Sequence, residues 1–473
     1  MKDSGLLLKY FKILAGVILS LSIVPEKILA EKCPCDIYAA GGTPCVAAHS
    51  TVRALYSSYD GPLYQVRRTS DSATIDIPLQ TQGGFVNTAV QDSFLKGKPG
   101  VILKVYDQSP KHNDVTPSPP GGYMPNGANP SPATIGKAMV GGHTVYGLYF
   151  SNSWNDTPPP EQRFVGYRNN NATGLAEGDQ AEAMYMVVDG RRYGTECCMN
   201  YGNAERKPVD EGAGTMECVN FGNNTTWGGR GEGSGPWVQA DFENGIFKGD
   251  KGGFGDNTDK YYFPQNKTIN ANFVTAILKG PSGNRYTLKG GNAQSGRLIT
   301  MWDSIRPYKD SWGNVYSPKR LRGAVIIGTG GDNGTGGTGT FFEGAITIGN
   351  PPDWVDDSIQ ANIVTAGYGR STPPVLIRYN ANETTSGLLF KIRYNTSNNC
   401  ALFSYSLNKS RHLSMKIFDQ RGRRIASIVD GIIPAGNRVA VWNTKMVPSG
   451  VYICRVAIDG MENWADNIIV GKK

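Results

Sequence analysis

The chain is poor in charge, in histidine and in helical pattern. Charged residues make up only 19% of its 473 positions. Histidine occurs four times, at His49, His112, His143 and His412, and none stands at ligand spacing on a recognisable helix. No Cys-x-x-Cys…Cys-x-x-Cys spacing is present either. These absences argue against a catalytic metal, and no cofactor is expected. Internal repeats are lacking. Beyond the N-terminus no apolar run is long enough to span a bilayer. Few long stretches repeat apolar residues at helical period, whereas Gly (60 residues) and Asn fill the turns, which points to an all-β protein rather than an α/β enzyme.

Charge is also unevenly placed. Gly387 to Lys473 holds 13 Lys and Arg against 5 Asp and Glu, a surplus of 8 that equals the net charge of the whole chain. A basic tail can bind nucleic acid, but no nucleic-acid motif accompanies it, so it reads as the solvated face of a small β-domain. At the other end, Lys2, Lys9 and Lys12 precede an apolar run, Ile13 to Val24, and Ala30 offers a small residue for cleavage. That is the pattern of a signal peptide over residues 1–30, which implies export and no membrane span once it is removed.

What is present is most informative between Trp237 and Phe247. On a strand, alternate residues share a face. Val238, Ala240 and Phe242 would then enter a core, while Trp237, Gln239, Asp241 and Glu243 would line one outer surface. An aromatic ring, an amide and two carboxyls on one face suit a sugar with acid–base chemistry at hand. Asp332 follows a glycine run far along the chain. Two carboxyl groups flanking a glycosidic bond are the usual apparatus of glycoside hydrolysis.

The remaining chain divides by composition. Residues 33–368 read as one large unit, with strands such as Ala183–Val188, Phe273–Leu278 and Ala324–Ile327. Pro117 to Pro132 and Gly328 to Gly339 read as surface loops that carry function on a rigid scaffold. Residues 369–387 read as a linker. Residues 388–473 hold short alternating strands at Cys400–Leu407, Leu413–Asp419, Ile425–Val429, Arg438–Trp442 and Gly450–Ala457, the pattern of a small β-sandwich.

Several segments carry a resemblance. The run from Cys35 through Cys45, His49 and Arg53 to Tyr56 is similar to the start of the family 54 glycoside hydrolases, which are α-L-arabinofuranosidases. Further similar stretches are Tyr106 to Ser109, Gly166 to Asn170, Cys197-Cys198 with Tyr201 to Glu205, Gly290 to Ala293, and Gly330 to Asn333. The resemblance implies a catalytic β-sandwich of concanavalin or jelly-roll type and hydrolysis with retention of configuration. It implies Glu243 as nucleophile and Asp332 as general acid/base. It also implies an arabinose site of Cys197, Cys198, Trp227, Asp241, Asn244, Ile246 and Gly331, with Ile246 standing where the family pattern has leucine. In a retaining mechanism Glu243 must be ionised and Asp332 protonated before the first step.

By the same resemblance Cys35 and Cys45 close the N-terminal loop. A bridge between the adjacent Cys197 and Cys198 is expected as a rigid sulfur surface against a furanose ring. Cys400 and Cys454, both on strands of the tail, are candidates for a third bridge, and Cys33 and Cys218 for a fourth by elimination. The C-terminal stretch departs from the family. It is similar to immunoglobulin-like domains of bacterial exported enzymes, including type nine secretion sorting domains, and so implies an extracellular or surface-attached enzyme handled by export machinery. The expected partners are arabinoxylan, arabinan and related oligosaccharides. Two other readings stay open: β-D-xylosidase activity at the same site, and a carbohydrate-binding surface protein without catalysis.

Overall fold

A computed structural model describes residues 33–151, 163–224, 231–247, 263–306, 313–371, 388–395, 400–419, 423–448 and 450–470. The signal-like segment 1–30, nearly all of the expected linker and Trp227 lie outside these residues. Among those described, no helix is long and apolar enough to cross a membrane.

Two antiparallel sheets form the large unit. In one, the strands run in the order Ile299–Ile305, Arg285–Asn292, Phe273–Gly280, Glu182–Asp189, Gly339–Ile348, His143–Phe150 and Gly136–Val140, and Cys45–Ser50 also pairs with Gly339–Ile348. In the other, the order is Ile246–Phe247, Trp237–Asp241, Glu217–Gly222, Asn200–Ala204, Ala324–Ile327, Tyr167–Asn169 and Thr116–Pro117. The sheets stack face to face around one apolar core that includes Met184, Tyr201, Val219, Val238, Ala240, Ile277 and Val325. This is the expected all-β sandwich. A smaller sheet of Thr74–Ile77, Tyr64–Arg68, Gly100–Val105 and Ser131–Pro132 stands beside it.

The described residues hold three helices, none of them anticipated, and the longest packs on a sheet. Asp353–Ala366 buries Val355, Ile359 and Ile363, spaced four apart, and ends at Gly367 in the left-handed region (φ 84°). Its Asp356 is fully buried and accepts from Lys279 Nζ (2.9 Å) and Lys289 Nζ (2.7 Å), both on strands of the first sheet. These two ion pairs fasten the helix across the sheet.

The C-terminal strands form two small antiparallel sheets, Leu388–Asn395, Cys400–Leu407 and Gly436–Asn443 in one, and Arg424–Ile433, Arg411–Asp419, Gly450–Ile458 and Met461–Val470 in the other. They enclose their own core, with Phe403, Leu413, Met415, Trp442, Tyr452 and Val456 buried.

Two sulfur pairings differ from expectation. Cys35–Cys45 and Cys197–Cys198 are bridged, but Cys400–Cys454 and Cys33–Cys218 are not. Cys400 begins a strand of the three-stranded sheet, whereas Cys454 lies mid-strand in the facing sheet, level with Ile417 and Asp466. Cys33 precedes the helix Pro34–Ala40 with its sulfur 3.9 Å from the Gly83 carbonyl, while the Cys218 sulfur points to the Asn203 carbonyl, 3.4 Å away.

Candidate active site

The second sheet presents an unusual outer face. Val238 and Ala240 enter the core as expected, and Phe242 continues that face. The alternate residues do not face water. Gln239 is fully buried and donates from Nε2 to the Asn224 carbonyl (2.9 Å). Trp237 donates from Nε1 to the Glu232 carbonyl (3.0 Å). Asp241 on the same strand, and Asn220 and Asn200 on the next two, continue this polar face: Asn220 Nδ2 donates to Asn200 Oδ1, and Asn200 Nδ2 to Asp241 Oδ2, each at 2.8 Å. A polar face this deep must satisfy itself internally, because each unpaired group costs about 1–3 kcal/mol.

The roof over this face is the segment 328–338, expected as a surface loop and found largely buried, with Thr329 and Asn333 wholly so. It can lie flat on the sheet because its glycines leave room and its backbone is paired. Gly328 N–H donates to the Asn200 carbonyl (2.7 Å), Asn200 Nδ2 to the Thr329 carbonyl (3.2 Å), and Gly330 N–H to the Gly334 carbonyl (2.7 Å).

Glu243 also departs from the simple alternation. The strand ends at Asp241, and Glu243 and Asn244 follow in left-handed conformations (φ 64° and 56°). Asp241 Oδ1 accepts from the Glu243 N–H (3.2 Å), which fixes the turn. The turn, and not the strand pleat, therefore aims Glu243. A cleft of about 300 Å³ opens here, lined by Cys197, Cys198, Asp241, Glu243, Asn244 and Asp332 together with Tyr123, Met124 and Phe164. The expected residues thus come together, with three qualifications of place. Trp227 lies outside the described residues, as does the side chain of Ile246, whose backbone pairs with Asp241. Gly331 is in the roof, and Asn244 spans both oxygens of Asp210 through Nδ2 (3.0 Å each).

Close approaches define the interior. A Cβ at Gly331 would overlap Glu205 Oε2 and come 2.7 Å from Glu243 Oε2, so only glycine fits where these carboxyls meet. A Cβ at Gly330 would stand 2.8 Å from Asp332 Oδ1 and 3.2 Å from Cys198 Sγ. Cys197 Sγ lies 3.7 Å from Asp241 Oδ2. The peptide joining Cys197 and Cys198 is cis. These two sulfurs and Asp241 cluster tightly enough to invite a metal, but the sulfurs are bonded to each other and offer no thiolate.

One cation organises these acids. Arg168 is 2% exposed and donates from Nη1 to the Gly331 carbonyl (2.9 Å) and Asn333 Oδ1 (2.9 Å), and from Nη2 to the Glu205 carbonyl. It clamps the backbone on both sides of the cleft. Burial lowers its pKa to about 10, so it stays charged at neutral pH. Around it burial raises the acids. Asp241 and Glu205 are each pushed up to about 7, by burial first. Glu243 is pushed well above the carboxylate range, by burial and then by Glu205, Asp332, Asp241 and Asp210. Asp332 is raised too, by burial, with the Gly334 N–H (2.8 Å from Oδ1) opposing. Both Glu243 and Asp332 are thus held upward in the free site. Glu243 is the deeper group and has the more acidic neighbours.

Arg168, Glu205, Asn200 and Asp210 carry no role in the sequence reading, although Arg168 and Glu205 fall within its family-like segments. Nothing in spacing distinguishes a buried clamp from a surface charge.

Comparison with known proteins agrees with this architecture. A family profile described as "Alpha-L-arabinofuranosidase B, catalytic" matches residues 34–369. A probable alpha-L-arabinofuranosidase B of Aspergillus fumigatus is 45% identical over 359 residues, covering 75% of this chain and 66% of that protein. An arabinofuranosidase/B-xylosidase of Trichoderma koningii is 46% identical over 340 residues, covering 71% of this chain and 63% of the relative. The chain thus spans just under two thirds of these relatives' length. A solved arabinofuranosidase in complex with arabinofuranosyl-alpha-1,2-xylobiose is 39% identical, with a TM-score of 0.65 over 80% of this chain and 73% of that one.

Proposed function

The chain belongs to the alpha-L-arabinofuranosidase B catalytic family, and from that premise we propose that it removes terminal α-L-arabinofuranosyl groups with retention of configuration. The observation that carries this reading is the convergence of Glu243 and Asp332, from separate segments, on one cleft beside the Cys197–Cys198 sulfurs. In the proposed reaction Glu243 attacks the anomeric carbon while Asp332 protonates the departing oxygen. Water, deprotonated by Asp332, then releases arabinose from Glu243. Such chemistry places the two carboxyls about 5–5.5 Å apart. Asp241 and Asn244 hold sugar hydroxyls, and the sulfur pair and Gly331 border the place of the furanose ring; Trp227 and Ile246 keep the arabinose-binding role that the family resemblance implies.

The leaving group departs on the Asp332 side, because the proton comes from there. That side carries Tyr123, which is 71% exposed, with Met124 and Phe164. They form an apolar platform for the next sugar of an arabinoxylan or arabinan.

A second reading, β-D-xyloside hydrolysis at the same centre, is favoured by one observation, the double name of the Trichoderma koningii relative. Export rests on the signal-like N-terminus. A bacterial sorting role of the C-terminal sandwich rests on its sequence alone, and the relatives named above are fungal.

Hydrolysis of chromogenic α-L-arabinofuranoside and β-D-xyloside by wild type, Glu243→Gln and Asp332→Asn tests the proposal. Arabinofuranoside turnover should dominate and both variants should lose it. Azide should then restore product in variants with the side chain removed, with opposite anomeric configurations at the two positions. Full activity in Glu243→Gln would refute the assignment.

A further inference from the structure

Glu205 is fully buried at the end of the strand Asn200–Ala204. Its Oε1 accepts from Thr215 Oγ1. Its Oε2 has no hydrogen-bond partner among the described residues and occupies the space a Cβ at Gly331 would fill, a point that also lies 2.7 Å from Glu243 Oε2. A buried carboxyl oxygen without a donor is unfavourable as an anion and favourable as a proton carrier. The acid beside it must be an anion to attack a sugar.

We propose that Glu205 is a positioning residue for the reaction proposed above, holding a single proton in common with Glu243 and donating it as an O–H···O hydrogen bond to the ionised nucleophile. The geometry supplies each part of this. Arg168 fixes the Glu205 carbonyl and the Gly331 carbonyl, so the Glu205 backbone is held to the roof beside the pair. The missing side chain at Gly331 leaves room for both carboxyl oxygens at that point. Thr215 occupies Oε1 and leaves only Oε2 to face Glu243. Among the described residues, the charged groups that act most strongly on the pair are Arg168, Asp241, Asp332 and Asp210, with the Cys218 thiol also close. Arg168 is the lone cation among them, so the acids cannot all ionise together. With the proton on Glu205, Glu243 is anionic and oriented. Loss of that proton sets a second buried anion against Glu243.

The test is the pH profile of kcat/KM on 2,4-dinitrophenyl α-L-arabinofuranoside, whose leaving group needs no proton from Asp332. Wild type should show an alkaline fall with a midpoint near pH 7, where the Glu205 proton is lost. Glu205→Gln keeps a permanent N–H donor at this place, and the fall should vanish. Thr215→Val removes the hydroxyl that favours ionised Glu205, and the fall should move upward by about one pH unit. This second variant decides the matter if Glu205→Gln does not fold. Profiles of unchanged shape in the folded variants, or no alkaline fall in wild type, would overturn the inference. Absence of any turnover by wild type would instead overturn the proposed function.

Discussion

The sheet beneath the cleft and the C-terminal sandwich are both built from antiparallel strands, but by opposite rules. In Cys400–Leu407 burial alternates strictly, as in any strand with one wet face. In Trp237–Asp241 and Asn200–Ala204 every residue is buried, including Gln239, Asp241, Asn200 and Asn203. A strand covered on both faces is ordinarily apolar throughout. Polar side chains kept there at the cost of desolvation lie beneath the proposed reaction centre, and the alternating sandwich has no such face.

The comparison can be broken by substitutions on either side of it. The largest effect belongs to the cleft: Glu243→Gln should lower kcat by at least about 10⁴-fold, and Asp332→Asn by about 10²–10⁴-fold, with melting temperatures no lower than that of wild type. In the sandwich, Trp442 packs edge-on against Tyr452 at 5.4 Å. Trp442→Ala should destabilise that unit by about 3–5 kcal/mol in denaturant unfolding while leaving arabinofuranosidase kcat unchanged. A loss of kcat there would show that the two regions are coupled.

Titration sharpens the contrast further. Glu205 and Asp241 both have folded pKa values raised to about 7. Raised acids add stability that is fully present below their unfolded pKa, near 4, and is lost as pH rises through 7. Glu205→Gln should therefore gain on wild type between about pH 4.5 and 7.5, by up to about 3 kcal/mol. Thermal melts across that range would show it, and a constant difference would contradict it. The smallest effect is expected at the mouth. Tyr123→Ala should raise KM several-fold for arabinofuranosyl-xylobiose and leave methyl α-L-arabinofuranoside unaffected, which paired kinetics would read directly.

Legibility follows the same division. The alternating strands of the C-terminal region stand in the structure at nearly their expected bounds; Cys400–Leu407 matches at both ends. Ala324–Ile327 is equally plain, because four consecutive apolar residues between turns read as a buried strand. The helix Asp353–Ala366 was hidden, since Val355, Ile359 and Ile363 are too sparse to stand out among Asp, Gln and Asn, and its fastening by Lys279 and Lys289 is nonlocal. At the cleft, residue types and family-like motifs picked out Glu243, Asp332 and the sulfur pair. They did not reveal that Glu243 sits on a left-handed turn, that the glycine run is a roof, or that Arg168 and Glu205 belong inside. Each of these depends on burial, which a single chain position does not encode.

One interlock at the mouth restricts how this chain can be modified. Tyr123 N–H donates to the Asp332 carbonyl (3.0 Å), and any side chain at Gly122 would collide with that same carbonyl. The peptide bearing the aromatic ring and the peptide bearing the acid therefore move together. Exchanging the side chain at Tyr123 leaves this pairing intact, because it uses only backbone atoms. Lengthening or shortening the chain ahead of Tyr123 would displace the acid along with the ring.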